Sequence, residues 1–243
     1  MDIIKVTSYE EMSAEAAKII IDRVKETPSI TLGLATGGTP IGTYKKLVED
    51  YGKSAATYQH VSTVNLDEYI GLSGDHPQSY RMYMENHLFK HIDIPAHQTY
   101  LPDGTAENLM KECQRYDQLI ENMGGVDLQL LGIGQNGHIG FNEPGTPFNS
   151  RTHIIDLMES TRKANSRYFP TLESVPEQAI TMGIQSIFES KEILLLASGQ
   201  KKAEAIYKLL EGKISEDFPA SILRNHLNVT LIADAAALSH TDL

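Results

Sequence analysis

The chain has 243 residues, of which 41% are hydrophobic and 22% charged, ordinary values for a folded domain rather than a disordered or fibrous one. A formal net charge of −11 argues against broad binding to nucleic acid or to anionic membranes, so an anionic ligand needs a local basic pocket. The single cysteine, Cys113, excludes an internal disulfide framework and suits a reducing, cytoplasmic setting.

The N-terminal MDIIKVTSYEE carries acidic residues where a signal peptide needs an apolar stretch, and is read as no secretory leader. Ser8 and Glu11 have capping-box spacing, and Met12, Ala16, Ile19 and Ile20 follow on one helical face. Pro28 and Ser29 break the chain before a buried strand expected over 30–35. After a glycine turn, a helix carries Tyr44, Leu47 and Val48 on one side. A second strand, 61–66, runs straight into Asp67, Glu68 and Tyr69. Residues 106–123 read as helix, with Cys113 in a structural position and Gly124-Gly125 as the stop. Further strands are expected over 126–133, 192–198 and 228–234, with a helix over 201–211 between the last two. The longest apolar runs, such as EILLLAS, are too short to span a bilayer. Strands alternating with helices predict an α/β fold: a single domain, 1–243, with an open parallel sheet and helices on both faces. Ligands of such sheets bind beyond the carboxyl ends of the strands, which directs attention to ATGGTP, DEYIGLSGDHP, GQNGHIGFNEP and GQKKAEA.

Four constellations stand out. In LATGGTP, Gly37 and Gly38 let backbone N–H groups approach an anion, the next helix adds its positive end, and Thr36 and Thr39 offer hydroxyls. A ligand-free strand-to-helix turn has the same spacing, and the Walker A pattern is absent. Gly132-x-Gly134-x-x-Gly137 matches the dinucleotide fingerprint, and Asp156 has the spacing of a ribose-binding acid. Pro144, Gly145 and Pro147 leave no room for the helix that motif requires, so NAD binding is not expected. The same segment places His138 near Asn136 and Glu143, an imidazole–carboxylate pair suited to moving protons on sugar hydroxyls. Asp67 at a strand end suits a general base acting beside a carbonyl, and helix capping explains it equally well. Arg167, Lys201 and Lys202 are the basic candidates for phosphate. No zinc-ligand spacing and no nucleophile elbow occur.

LATGGTP, VNLDEY, GIGQNGHIGFNEPGT, SRTH, ANSRYF and SGQKKA occur in this order along nearly the whole chain. Together they resemble the glucosamine-6-phosphate deaminase family. TGGTP alone is shared with 6-phosphogluconolactonases, whereas NLDEY with GHIGFNEP is far more specific. The resemblance implies a Rossmann-like fold, a sugar-phosphate substrate, and conversion of glucosamine 6-phosphate to fructose 6-phosphate and ammonia without metal or redox cofactor. It implies that Asp67 moves the C2 proton to C1, and that His138 opens the pyranose ring with Glu143 as its carboxylate partner. Gly37, Gly38 and Thr39 would form the phosphate loop, with Arg167 and Lys202 as its charged ligands. Lys202 rather than Lys201 fits the family's G-x-x-K-A. Many members carry Asp where Asn136 stands, so Glu143 must supply the negative charge here. Allosterically activated members carry a basic pair where this chain has His153 and Ile155, and a longer C-terminal tail. Activation by N-acetylglucosamine 6-phosphate is therefore not expected. A lactonase would not need the NLDEY base, and a sugar-phosphate-sensing regulator would normally follow a DNA-binding segment that this chain has no room for. No nucleic-acid or membrane partner is expected, and the sequence leaves a homo-oligomer open.

Overall fold

A computed structural model of the chain describes residues 1–53, 56–166 and 169–242. The larger of its two sheets is entirely parallel. It comprises β1 (Asp2–Val6), β2 (Ile30–Leu34), β3 (Val61–Asn65), β5 (Thr99–Tyr100), β6 (Leu128–Gly132), β9 (Glu192–Ala197) and β10 (Val229–Asp234), in the order β1-β10-β9-β6-β2-β3-β5. The smaller is antiparallel, β4-β8-β7, from β4 (Asp67–Tyr69), β7 (His153–Asp156) and β8 (Gln178–Thr181).

The large sheet is covered on both faces, as its sequence requires. Along β9, Leu194 and Leu196 pack with Met12, Ala16 and Ile20 of α1 (Tyr9–Glu26) and Tyr44 and Leu47 of α2 (Ile41–Gly52). The alternate residues Ile193, Leu195 and Ala197 belong to a second cluster. It includes Tyr116 and Ile120 of α4 (Leu109–Asn122), Ile187 of α6 (Ile184–Phe188), and Ile206 and Leu209 of α7 (Ala203–Glu211). A strand apolar at every position is stable only between two helical layers. Each such leucine contributes about 1.5–3 kcal/mol by leaving water. α1 begins on Ser8, whose hydroxyl accepts from Glu11 N–H. The Glu11 carboxylate turns to Thr7 N–H and Oγ at 2.7 Å instead of completing the capping box on Ser8.

The five strands expected from the sequence (β2, β3, β6, β9 and β10) lie within a residue or two of their expected bounds, whereas β1 and the two-residue β5 were not among them. The small sheet was not anticipated, because its three- and four-residue strands carry no apolar run long enough to register. Asp67–Tyr69, read as the start of a loop, pairs with β8 instead. Leu66 joins the two sheets: its N–H donates to Leu34 O, and its carbonyl accepts from Met182 N–H. From β2 the chain builds outward through β3 and β5, then returns to β6 and builds the other way. Strand order therefore reverses between β2 and β6, and their carboxyl ends open the crevice where ligands of such folds bind.

Candidate active site

The crevice is floored by glycine-rich turns. Gly37, with φ of 90°, turns the chain between β2 and α2. Two tyrosines pin that turn from the helices above. Tyr83 on α3 (Tyr80–His87) donates to Gly37 O at 2.6 Å, and Tyr9 on α1 donates to Gly38 O while accepting from Gly42 N–H. With two carbonyls held outward, the loop's N–H groups remain for an anion. Thr39 lies against Gly132 at the end of β6, so the two turns flanking the switch point touch.

Lys202 enters from the next strand over. It sits at the foot of α7, and its Nζ donates to Ile133 O at 2.6 Å. Burial lowers its pKa from the ordinary lysine value, and no carboxylate pairs with it among the described residues. Lys201 is exposed. The loop carrying Lys202 is fastened by Asp234 at the end of β10, whose carboxylate accepts from Ser198 Oγ, Gly199 N–H and Ala237 N–H. Arg167, the other basic candidate, lies outside the described residues.

Across the crevice, His138 rests on the α-carbon of Gly134, where a methyl group would collide with the imidazole ring. This close approach, rather than dinucleotide binding, is what that glycine provides; no helix opens between β6 and β7. Asp156, with the spacing of a ribose-binding acid, accepts from Gln178 within the small sheet. His138 Nδ1 lies 3.4 Å from Glu143 Oε2, a close electrostatic contact somewhat long for a strong hydrogen bond. Glu143 is 5% exposed, and its two oxygens are held separately: Asn136 Nδ2 donates to Oε2 at 2.6 Å and Thr161 Oγ to Oε1 at 2.7 Å. Burial pushes this carboxyl up, but the contact with His138 and the hydroxyl and amide donors outweigh it, leaving the pKa below the ordinary value. The preceding residue, Asn142, is fully buried and holds the loop in place, donating to Ile139 O and to Met182 O beside the small sheet.

Asp67 starts β4 and is 6% exposed. A side chain on Gly140, two residues beyond His138, would lie 3.8 Å from Asp67 Oδ2. Burial, reinforced by the neighbouring Glu68, raises the Asp67 pKa from 3.8 to about 8, with no compensating cation or hydrogen bond among the described residues. The rings of Tyr69, Tyr80 and Phe141 gather beside it, with Tyr69 and Tyr80 4.7 Å apart. Tyr80 donates to Tyr69 Oη and is hydrogen-bonded by Thr36 of the β2 turn. Helix capping, the other reading of Asp67, falls to other residues: Ser79 caps α3 by accepting from Met82 N–H, and Glu68 accepts from Tyr80 N–H and Arg81 N–H at 2.9 Å. The sequence did not single out Thr161, Tyr9, Tyr83 or Asp234, which belong to no motif and are seen only in the fold. Among the described residues, no three His, Cys, Asp or Glu side chains gather to hold a metal ion, and no helix is long and apolar enough to cross a membrane.

The model of the glucosamine-6-phosphate isomerases/6-phosphogluconolactonase family matches residues 6–232. Glucosamine-6-phosphate deaminase of Geobacillus sp. (strain WCH70) is 60% identical over 98% of this chain and 95% of its own length. Glucosamine-6-phosphate deaminase 1 of Bacillus subtilis (strain 168) is 55% identical over 98% and 99%. A solved structure of a monomeric glucosamine-6-phosphate deaminase superposes with a TM-score of 0.97 at 55% identity, covering 99% of this chain and 100% of that one. A 6-phosphogluconolactonase from Thermotoga maritima, 20% identical with a TM-score of 0.74 over 96% and 99%, shares the fold. The chain belongs to the glucosamine-6-phosphate isomerase/6-phosphogluconolactonase family.

Proposed function

We propose that the switch-point crevice is where this member of the family converts glucosamine 6-phosphate and water to fructose 6-phosphate and ammonia, with the site residues divided between anion binding and proton transfer. The activity is that of a glucosamine-6-phosphate deaminase, an amino-sugar-catabolic enzyme that couples aldose–ketose isomerisation to deamination. The observation that supports the division of roles is the pair of carboxylates with opposed environments. Among the described residues, Asp67 is buried without a partner and held above its ordinary pKa, whereas Glu143 is buried with three partners and held below it. Two carboxyl groups pushed apart in this way serve different steps.

The phosphate rests on the N–H groups of Gly37, Gly38 and Thr39, with Lys202 and Arg167 as cations. His138, kept in register by Glu143 and Asn136, passes the C1 hydroxyl proton to the ring oxygen. The C1–O bond of the ring breaks and an aldehyde forms. The carbonyl acidifies the C2 hydrogen, which ionised Asp67 removes and returns to C1. The resulting imine at C2 takes up water, and the C–N bond breaks with loss of ammonia. A carboxylate stripped of hydration and partners is a strong base for a carbon-bound proton.

All these groups come from one chain. The 55%-identical structure is described as monomeric, which supports action as a monomer, and a single domain is supported by Asp67 and the phosphate turn reaching one crevice from different sheets. Because His153 and Ile155 supply no basic pair on β7, hyperbolic kinetics unchanged by N-acetylglucosamine 6-phosphate are expected. The decisive assay follows fructose 6-phosphate and ammonia together from glucosamine 6-phosphate. Their release in equal amounts supports the reading, and hydrolysis of 6-phosphogluconolactone with no ammonia released from glucosamine 6-phosphate overturns it.

A further inference from the structure

Among the described residues, Glu143 has one side-chain polar contact that does not come from its own loop. Thr161 lies on α5 (Glu159–Asn165), which follows the small sheet's edge strand β7, and its hydroxyl is the donor to Glu143 Oε1. α5 is itself tied down: Arg162 donates to Leu172 O and Val175 O, which holds that stretch against the helix. Thr161 also precedes Arg167 by six residues on the same segment.

We propose that Thr161 is a positioning residue of the deaminase reaction: its hydroxyl fixes the Glu143 carboxylate with Oε2 turned to Asn136 and His138, so that seating of α5 completes the ring-opening pair. This proposal rests on the ring-opening roles given above to His138 and Glu143. The geometry carries it. Oε2 already serves two neighbours, Asn136 at 2.6 Å and His138 at 3.4 Å. Oε1 is served by Thr161, and without it a buried carboxylate oxygen has no donor among the described residues. A bare anionic oxygen in that position is costly, so the carboxyl either rotates toward another donor or takes up a proton, and His138 loses its anchor in both cases. The groups facing Glu143 are few: His138 is the titratable one, Asn136 faces it from the same loop and Thr161 from α5. Because Asn136 carries no charge, Glu143 is the anion on which His138 depends.

The test compares Thr161→Val, which keeps the shape and removes the hydroxyl, with Thr161→Ser, which keeps the hydroxyl. Thr161→Val should lower kcat for glucosamine 6-phosphate about tenfold. It should leave KM, and the affinity for an acyclic amino-polyol 6-phosphate that needs no ring opening, nearly unchanged. The 13C titration of the Glu143 carboxyl should move to higher pH, because a donor that favours the anion has gone. Thr161→Ser should restore both kcat and the titration. Wild-type kcat and titration in Thr161→Val overturn the proposal, as does equal impairment of the two variants, which marks a packing role. Glu143→Gln separates this from the underlying reading. If it loses activity while Thr161→Val does not, Thr161 alone is dismissed; if it keeps wild-type activity, the role of Glu143 is dismissed as well.

Discussion

The two walls of the crevice are built by different physics. The phosphate wall is main chain: a glycine turn after β2 whose carbonyls are pinned by Tyr9 and Tyr83, and one lysine whose loop hangs from Asp234. It stands directly on strands packed between two helical layers, so its shape follows from the core. The proton-transfer wall is side chain: Asp67, His138 and Glu143, two of them buried carboxyls, mounted on the three-stranded sheet and on the loop that runs to it from β6. The first wall resembles a preformed dipole array, which binds an anion without distinguishing substrate from transition state. The second holds one carboxyl, Asp67, in a state it would not choose in water, and fixes another, Glu143, by three polar neighbours. Damage to the first should therefore appear in KM, and damage to the second in kcat.

The sharpest test of that contrast is Asp67→Asn. Transfer of the C2 hydrogen of glucosamine 6-phosphate, followed by NMR in D2O, should fall by about 10²–10⁴-fold, while an acyclic amino-polyol 6-phosphate still binds. Stability should move the other way. The folded-state pKa of Asp67 is raised from 3.8 to about 8, so the folded chain holds a proton that the unfolded chain has already released. Stability is thus lost as pH climbs from about 4 to about 8, and the asparagine variant avoids that loss. Its melting temperature should exceed the parent's by several degrees at pH 9 and by little at pH 5. The same titration should make the parent's C2 exchange rise with pH and level off above about 8. Exchange independent of pH across that range would remove Asp67 as the base.

Next in size is Gly134→Ala. A methyl group there meets the His138 ring, and the imidazole must shift. Displacement of a reacting group by about 1 Å costs on the order of 10²-fold in rate. kcat should drop accordingly with KM little changed, and a normal kcat would show that the ring's seat is not what positions it. Lys202→Met then tests the opposite wall. Loss of one charged phosphate ligand should raise KM for glucosamine 6-phosphate about 10- to 100-fold, with a smaller effect on kcat. If kcat falls as steeply as KM rises, the two walls are not separable in this way.

The phosphate wall was the more legible in sequence. Glycines between a strand and a helix have a local cause, and the core strands that place them announce themselves through unbroken apolar runs such as EILLLA. The proton-transfer wall was legible in its residues but not in its scaffold. Asp67, His138 and Glu143 could be named from their motifs, yet β4, β7 and β8 are too short to show a period. Thr161 was invisible, because a hydroxyl that matters through one long-range hydrogen bond leaves no local pattern. Asp234 was hidden for the same reason. It read as the end of a strand, whereas its carboxylate organises a loop more than thirty residues away in sequence.

The finest distinction lies at Asn136, where the family resemblance led one to look for Asp. The amide here donates to the same Glu143 oxygen that faces His138, a contact a carboxylate cannot make unless it carries a proton. Asn136→Asp would set two carboxyl groups about that position, and like charges so close retain a proton between them or turn apart. At neutral pH kcat should fall only a few-fold, because a shared proton can stand in for the amide hydrogen. As pH rises and that proton is lost, the deficit should widen, leaving a rate profile that declines earlier on its alkaline side than the parent's. A profile parallel to the parent's at every pH would mean that Glu143 does not rely on the amide for its orientation. The anchor of His138 would then come from α5 alone.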